Sequence, residues 1–135
     1  MSYGKPQVRI SKVLKGKYLA NGCLIFAVDF DGTLVEDGHW PDVKPLKDTV
    51  RRLRILESLR LTGHKVILWT CRTGEALAAA LVFLKEEYGV EFDAVNENLP
   101  EILAKFKTDS RKVTADYYLD EASGGFAIFE KLITS

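Results

Sequence analysis

Net charge, long apolar runs and cysteine are what this sequence of 135 residues has least of. Lysine plus arginine and aspartate plus glutamate number 19 each, so no global field draws the chain toward nucleic acid or an anionic membrane. No apolar run approaches the ~20 residues that cross a bilayer, and the N-terminus lacks the apolar stretch of a secretory signal. A cytoplasmic protein without a membrane partner is therefore expected. The only two cysteines, Cys23 and Cys71, each lie beside a strand-like run, where a reduced thiol behaves as a small hydrophobe, so no disulfide is expected. Internal repeats and low-complexity tracts are also absent, which argues against a solenoid or a linker-rich chain.

One further absence is local. Residues 1–22 contain no acid but carry Lys5, Arg9, Lys12, Lys15 and Lys17, so a basic segment precedes an acidic body. Gly4, Pro6, Gly16 and Gly22 punctuate that segment, which reads as a loosely structured arm with one short strand or turn. Residues 23–135, in a chain that is 47% hydrophobic, suit a single domain with its own core.

What is present alternates regularly. Cys23 to Val28 is a continuous apolar run ending in Asp29, the pattern of a central parallel strand covered on both faces. Leu46, Val50, Leu53, Leu56 and Leu59 then recur at helical spacing, with Pro45 suited to the first turn and Gly63 to the end. Val66 to Trp69 forms a second buried strand, and Glu75 to Tyr88 a helix stopped by Gly89. Phe92 to Val95 forms a third strand, Pro100 to Phe106 a short helix, Ala115 to Leu119 a fourth strand, and Phe126 to Leu132 a last amphipathic segment. Right-handed crossovers convert this order into an α/β, three-layer, Rossmann-like parallel sheet with helices on both faces.

Ligands of such sheets bind outside the carboxyl ends of the strands. The first strand delivers Asp29-Phe30-Asp31-Gly32-Thr33, the second Thr70-Cys71-Arg72, and the fourth Asp120-Glu121. Three carboxylates (Asp29, Asp31, Asp120) converging on one edge would repel one another without a cation, and a hard all-oxygen set suits Mg²⁺. Asp29 and Asp31, two apart, would share a strand face, while Gly32 lets the chain turn away.

The run Ile25-Phe26-Ala27-Val28-Asp29-Phe30-Asp31-Gly32-Thr33-Leu34 resembles the first motif of the haloacid dehalogenase (HAD-like) superfamily, and the likeness extends from about Leu24 to Glu121. The resemblance implies a magnesium-dependent phosphatase. Asp29 would be the nucleophile that becomes an aspartyl phosphate and Asp31 the acid and base, both holding the metal, the second through its backbone carbonyl. Thr70 would contact phosphoryl oxygens and Asp120 would complete the metal site. Lys112, within Ser110-Arg111-Lys112, matches the family's lysine segment. Yet it lies eight residues before Asp120, up to ~26 Å away along a strand, which leaves Asn96 or Asn98 better placed.

Thr33 and the backbone after Asp29, including Gly32, are expected to donate to the substrate. Arg72 is divided evenly between a substrate role and a structural ion pair with Asp120 or Glu75. Cys71 lies against the substrate as a chemical spectator, since no histidine nearby would lower its pKa. His39 and Trp40, in the first loop, are expected to cover the core edge, with a grip on the leaving group as the alternative. Only about eleven residues (35–45) follow the first motif and about twenty (96–114) follow the third strand, too few for a large cap domain. An uncovered site favours a bulky phosphorylated substrate, with a nucleotide or nucleic-acid end expected. Two other readings stand beside the phosphatase: a non-catalytic phospho-acceptor of the receiver type, and a degenerate member that binds without turnover.

Overall fold

The computed structural model describes residues 9–10, 15–107, 112–121, 124–131 and 133–134. In chain order the elements are β1 (Arg9–Ile10), β2 (Ile25–Val28), α1 (Thr49–Leu61), β3 (Lys65–Leu68), α2 (Gly74–Tyr88), β4 (Ala94–Val95), α3 (Pro100–Phe106), β5 (Tyr117–Leu119), α4 (Gly125–Glu130) and β6 (Ile133–Thr134). Four of the strands form an all-parallel sheet in the order β4-β3-β2-β5, and β1 pairs antiparallel with β6. The chain is thus an α/β protein with a Rossmann-like sheet.

Alternation along β2 explains its two cores. Leu24, Phe26 and Val28 face one side, where α1, α2 and α4 contribute Leu53, Leu56, Leu59, Leu84, Phe126 and Phe129. Ile25 and Ala27 face the other, against Leu99 and Ile102 of the α3 region and Val113 and Ala115. With both faces covered, β2 carries no polar residue. The connections β2-α1-β3 and β3-α2-β4 step one way across the sheet, and β4-α3-β5 returns to the far side of β2. This reversal makes the carboxyl ends of β2 and β5 the topological switch point, where ligands of such sheets bind.

Several boundaries differ from the sequence reading. Pro45 lies outside α1 and bridges Val35 instead, while the helix begins after Asp48. The third and fourth strands are shorter than expected. Asp93 and Asp116 turn their carboxylates to neighbouring backbone N–H groups, Asp93 accepting from Val66 and Asp116 from Ile25 and Lys17.

The second of these contacts ties part of the basic arm to the body. Tyr18 and Leu19 pack on the second core, and a Cβ at Gly16 would lie 1.9 Å from the Cys23 carbonyl oxygen, so only glycine fits there. The expected break between residues 22 and 23 is therefore not a packing boundary. Residues 1–8 and 11–14 of the arm lie outside the described residues. Cys23 and Cys71 are free thiols, as expected. Among the described residues no helix is long and apolar enough to cross a membrane.

Replacing Asp116 with alanine strands two backbone donors at once, Lys17 N–H and Ile25 N–H, each now 2.8 Å from its carboxylate. The expected cost is ~1–3 kcal/mol in denaturant unfolding. Faster amide exchange at Lys17 and Ile25 should accompany it, and unchanged exchange there would contradict the assignment.

Candidate active site

The end of β2 places Asp29 at the switch point, and its neighbours follow from register. Val28 pairs with Leu68 on one side and Leu119 on the other, so one residue further Asp29 lies between Trp69 and Asp120. The backbone ladder continues through that row, with Trp69 N–H donating to Val28 and Asp29 N–H to Leu119. Adjacent parallel strands are ~4.8 Å apart, which brings the carboxylates of Asp29 and Asp120 close together. Burial, followed by the charge of Asp120, pushes the Asp29 carboxyl up to about 6, against the smaller lowering effects of Thr33 and Phe30 hydrogen bonds.

Thr33 is fully buried and lies behind Asp29. Its hydroxyl donates to Asp29 Oδ2 at 3.2 Å and accepts Glu121 N–H at 2.8 Å, so it orients the acid and joins the first and last motifs. It does not face the cleft, contrary to the expected substrate role. Gly32 allows this arrangement by taking φ +83°, where its N–H donates to Val35 and closes the turn. Thr33→Val should leave Glu121 N–H unpaired and remove the donor to Asp29, at ~1–3 kcal/mol in chemical denaturation, whereas Thr33→Ser should be close to neutral. Equal losses for the two variants would show that the methyl group, not the hydroxyl, matters.

Asp31 departs from the expected trio. Both of its oxygens accept from Arg72, Nε and Nη2 each at 2.8 Å, in a bidentate pair. Arg72 is fully buried. It also donates to the carbonyls of Pro41, Asp42 and Ala76, with its guanidinium carbon 5.1 Å from the Phe30 ring centroid and 5.4 Å from that of Trp40. Its role here is structural, but its partner is Asp31 and not the expected Asp120 or Glu75. Arg72 ties the first motif to the 41–42 loop and to the start of α2.

Arg52 does similar work on the other side. It is buried on α1, ion-pairs with Glu121 at 2.5 Å and donates to the Thr33 carbonyl at 2.7 Å. The sequence reading missed it. Its signal was position: Arg52 falls on the same helical stripe as Ile55, Leu56 and Leu59, and a charge on an apolar face must be paired.

A cleft of about 380 Å³ opens beside Asp29, with Thr70, Cys71, Asp120, Trp69 and Tyr118 among its lining residues. The Thr70 hydroxyl accepts Arg72 N–H at 3.1 Å, which leaves its own proton to donate into the cleft. Asn96 does not reach the cleft. At φ +53° it accepts Thr70 N–H at 2.7 Å and donates to the Arg72 carbonyl, holding the 70–72 loop. Cys71 is exposed on the cleft wall.

Lys112 stands with its ammonium 4.9 Å from the centroid of the Tyr118 ring, and that ring lines the cleft. The Tyr118 hydroxyl reaches back to the Val113 carbonyl, so this contact lies toward the start of the strand, and Lys112 is not among the residues that line the cleft.

Among the described residues no group of three or more His, Cys, Asp or Glu side chains is arranged around one metal position. Asp120 is the carboxylate that acts most strongly on Asp29, while Asp31 adds a smaller repulsion and turns its oxygens to Arg72. Two carboxylates still fit Mg²⁺, which keeps several waters and commonly takes one or two protein carboxylates beside substrate phosphate oxygens. Burial first, and Asp120 second, disfavour the charged form of Asp29, a cost that a bound cation would offset.

No family model and no curated protein matches the chain. Among solved structures it is similar to a conserved protein from Bacteroides thetaiotaomicron, at 34% sequence identity and a TM-score of 0.62, with 80% of this chain and 88% of that one covered. At that identity and coverage, the chain belongs to the same family as this conserved Bacteroides protein.

Proposed function

We propose that the protein is a magnesium-dependent phosphomonoester hydrolase that works through an aspartyl phosphate on Asp29. One observation supports this above the rest: a carboxylate at the end of the central strand, held by Thr33, stands beside a second carboxylate in a cleft that also offers the Thr70 hydroxyl. The resemblance of residues 24–121 to the haloacid dehalogenase superfamily supports the same reading.

Mg²⁺, held by the carboxylates of Asp29 and Asp120 with the Asp31 backbone carbonyl, would neutralise charge on the phosphoryl oxygens. Thr33 occupies Asp29 Oδ2, so Oδ1 is the oxygen that attacks phosphorus. The P–O bond to the leaving group breaks as the P–Oδ1 bond forms, and the leaving oxygen takes a proton from Asp31. Thr70 donates to an equatorial oxygen as charge builds there. Water then attacks phosphorus, gives a proton to Asp31, and leaves inorganic phosphate and the free Asp29 carboxylate. Asp31 must part from Arg72 to exchange these protons, because that pair occupies both of its oxygens.

The Asp31–Arg72 pair is also the observation that favours a second reading. If the pair stays closed, Asp29 accepts a phosphoryl group and releases it slowly, as a phospho-acceptor or a degenerate binding member would. Phosphate release from a chromogenic monoester, measured with and without Mg²⁺, separates the two when combined with acid-quench trapping. Steady turnover with a short-lived aspartyl phosphate supports the hydrolase. A single burst followed by a modification that persists for minutes supports the acceptor, and no phosphoryl transfer at all removes both.

A further inference from the structure

The cleft beside Asp29 has aromatic walls. Tyr118 is in register with Ala27 on β2, and Trp69 lies two rows on, level with Asp29, so both belong to the sheet face that carries Asp29. They stand on strands either side of β2, two strand spacings apart, ~9.5 Å between backbones. A planar group at contact distances of ~3.5–4 Å from each side chain fits such a gap.

The Tyr118 ring is held from two directions. Its hydroxyl donates to the Val113 carbonyl, and the Lys112 ammonium lies over the ring, yet the residue remains 39% exposed. An exposed aromatic side chain in a fixed pose is a stacking surface.

The polar inventory points the same way. Asp29, Asp120 and Thr70 are the polar groups that the proposed chemistry engages, and the Tyr118 hydroxyl is turned to Val113. Beyond these the cleft offers Ala27, Leu119, Trp69 and the Cys71 thiol. A polyol leaving group would lose more hydrogen bonds to water here than this lining can replace, whereas a flat apolar ring would lose little.

We infer that the cleft takes a phosphomonoester whose leaving group carries a planar aromatic ring, such as the base of a nucleotide, stacked between Trp69 and Tyr118. This rests on the phosphatase reading.

The test compares a nucleoside 5′-monophosphate with ribose 5-phosphate in the presence of Mg²⁺. Both break the same bond to a primary alcohol oxygen and differ only in the base. The expected result is a kcat/KM ratio of about tenfold or more in favour of the nucleotide, within the ~5- to 150-fold that stacking on an aromatic side chain supplies. Tyr118→Leu and Trp69→Leu should each bring the ratio toward one, and Tyr118→Phe should keep it, with melting curves confirming that each variant is folded.

Naphthylmethyl phosphate against cyclohexylmethyl phosphate separates the sources. A preference in both pairs identifies any planar ring as the determinant, and a preference confined to the nucleotide identifies the base. Both substrate pairs turned over without discrimination, or discrimination untouched by the two leucine variants, would overturn the inference while leaving the phosphatase intact. No turnover of any of the four esters would instead remove the phosphatase reading, and this inference with it.

Discussion

Asp29→Asn is expected to abolish phosphoryl transfer while making the metal-free protein more stable. The loss of turnover should be on the order of 10³-fold or more, because the variant lacks the attacking oxygen itself. The gain in stability follows from the electrostatics of the site. The Asp29 carboxyl is pushed up to about 6 first by burial and then by Asp120, so its charged form is disfavoured in the fold. A carboxyl raised above its unfolded value binds its proton more tightly when folded. Its contribution to stability is therefore fully present below the ordinary carboxylate range and is lost as pH rises from about 4 through about 6.

Asparagine removes that penalty and keeps an acceptor for the Thr33 hydroxyl. Asp29 is only partly buried, and water screens part of the repulsion. A discounted gain of ~1 kcal/mol at neutral pH is expected, or a Tm about 3–5 °C higher in chelator. Mg²⁺ should then raise the Tm of the wild type by ligand linkage and that of the variant far less. A variant that melts lower than the wild type in chelator would mean that burial and the charge of Asp120 do not make ionised Asp29 a real cost.

Arg72→Met is expected to be the most destabilising single change near the site. It leaves Asp31 as a buried carboxylate without its cation and strands the carbonyls of Pro41, Asp42 and Ala76. Breaking a buried pair from one side costs ~3–5 kcal/mol, a large share of the ~5–15 kcal/mol that holds an ordinary domain together. Arg72→Lys should recover only part of this, since one ammonium cannot form the fork and reach three carbonyls as well.

Asp31→Asn combined with Arg72→Met should be less damaging than the two losses summed, with a coupling of ~1–3 kcal/mol in a double-mutant cycle by urea unfolding. Rescue should stay incomplete because the carbonyls remain unpaired. Strict additivity would show that the bidentate pair carries no energy of its own.

Much of the fold was legible because long periodic segments carry their own signal. α2 and α3 lie within one residue of the predicted spans, and Gly89 ends α2 in the left-handed conformation that glycine favours. The start of α1 was misread because Pro45 is compatible with a first helical turn, but a bridge to Val35 claims it. The strands near residues 93 and 116 were overestimated for a related reason. Periodicity does not show that an aspartate will turn its carboxylate onto a neighbouring strand's backbone rather than continue its own.

What the sequence by itself determined is the order of elements, a central strand ending in Asp29, and the placement of Thr70 and Asp120 at the ends of its neighbours. These follow from local pattern and from the geometry of parallel crossovers, which need no knowledge of side-chain partners. What only the tertiary structure decided is which groups those residues meet. Arg72 takes Asp31 instead of substrate, Arg52 bridges Thr33 and Glu121, and Asn96 holds a loop. Burial is the reason: a guanidinium or an amide shut away from water must find every partner nearby, and the partners come from chain segments that no local pattern connects.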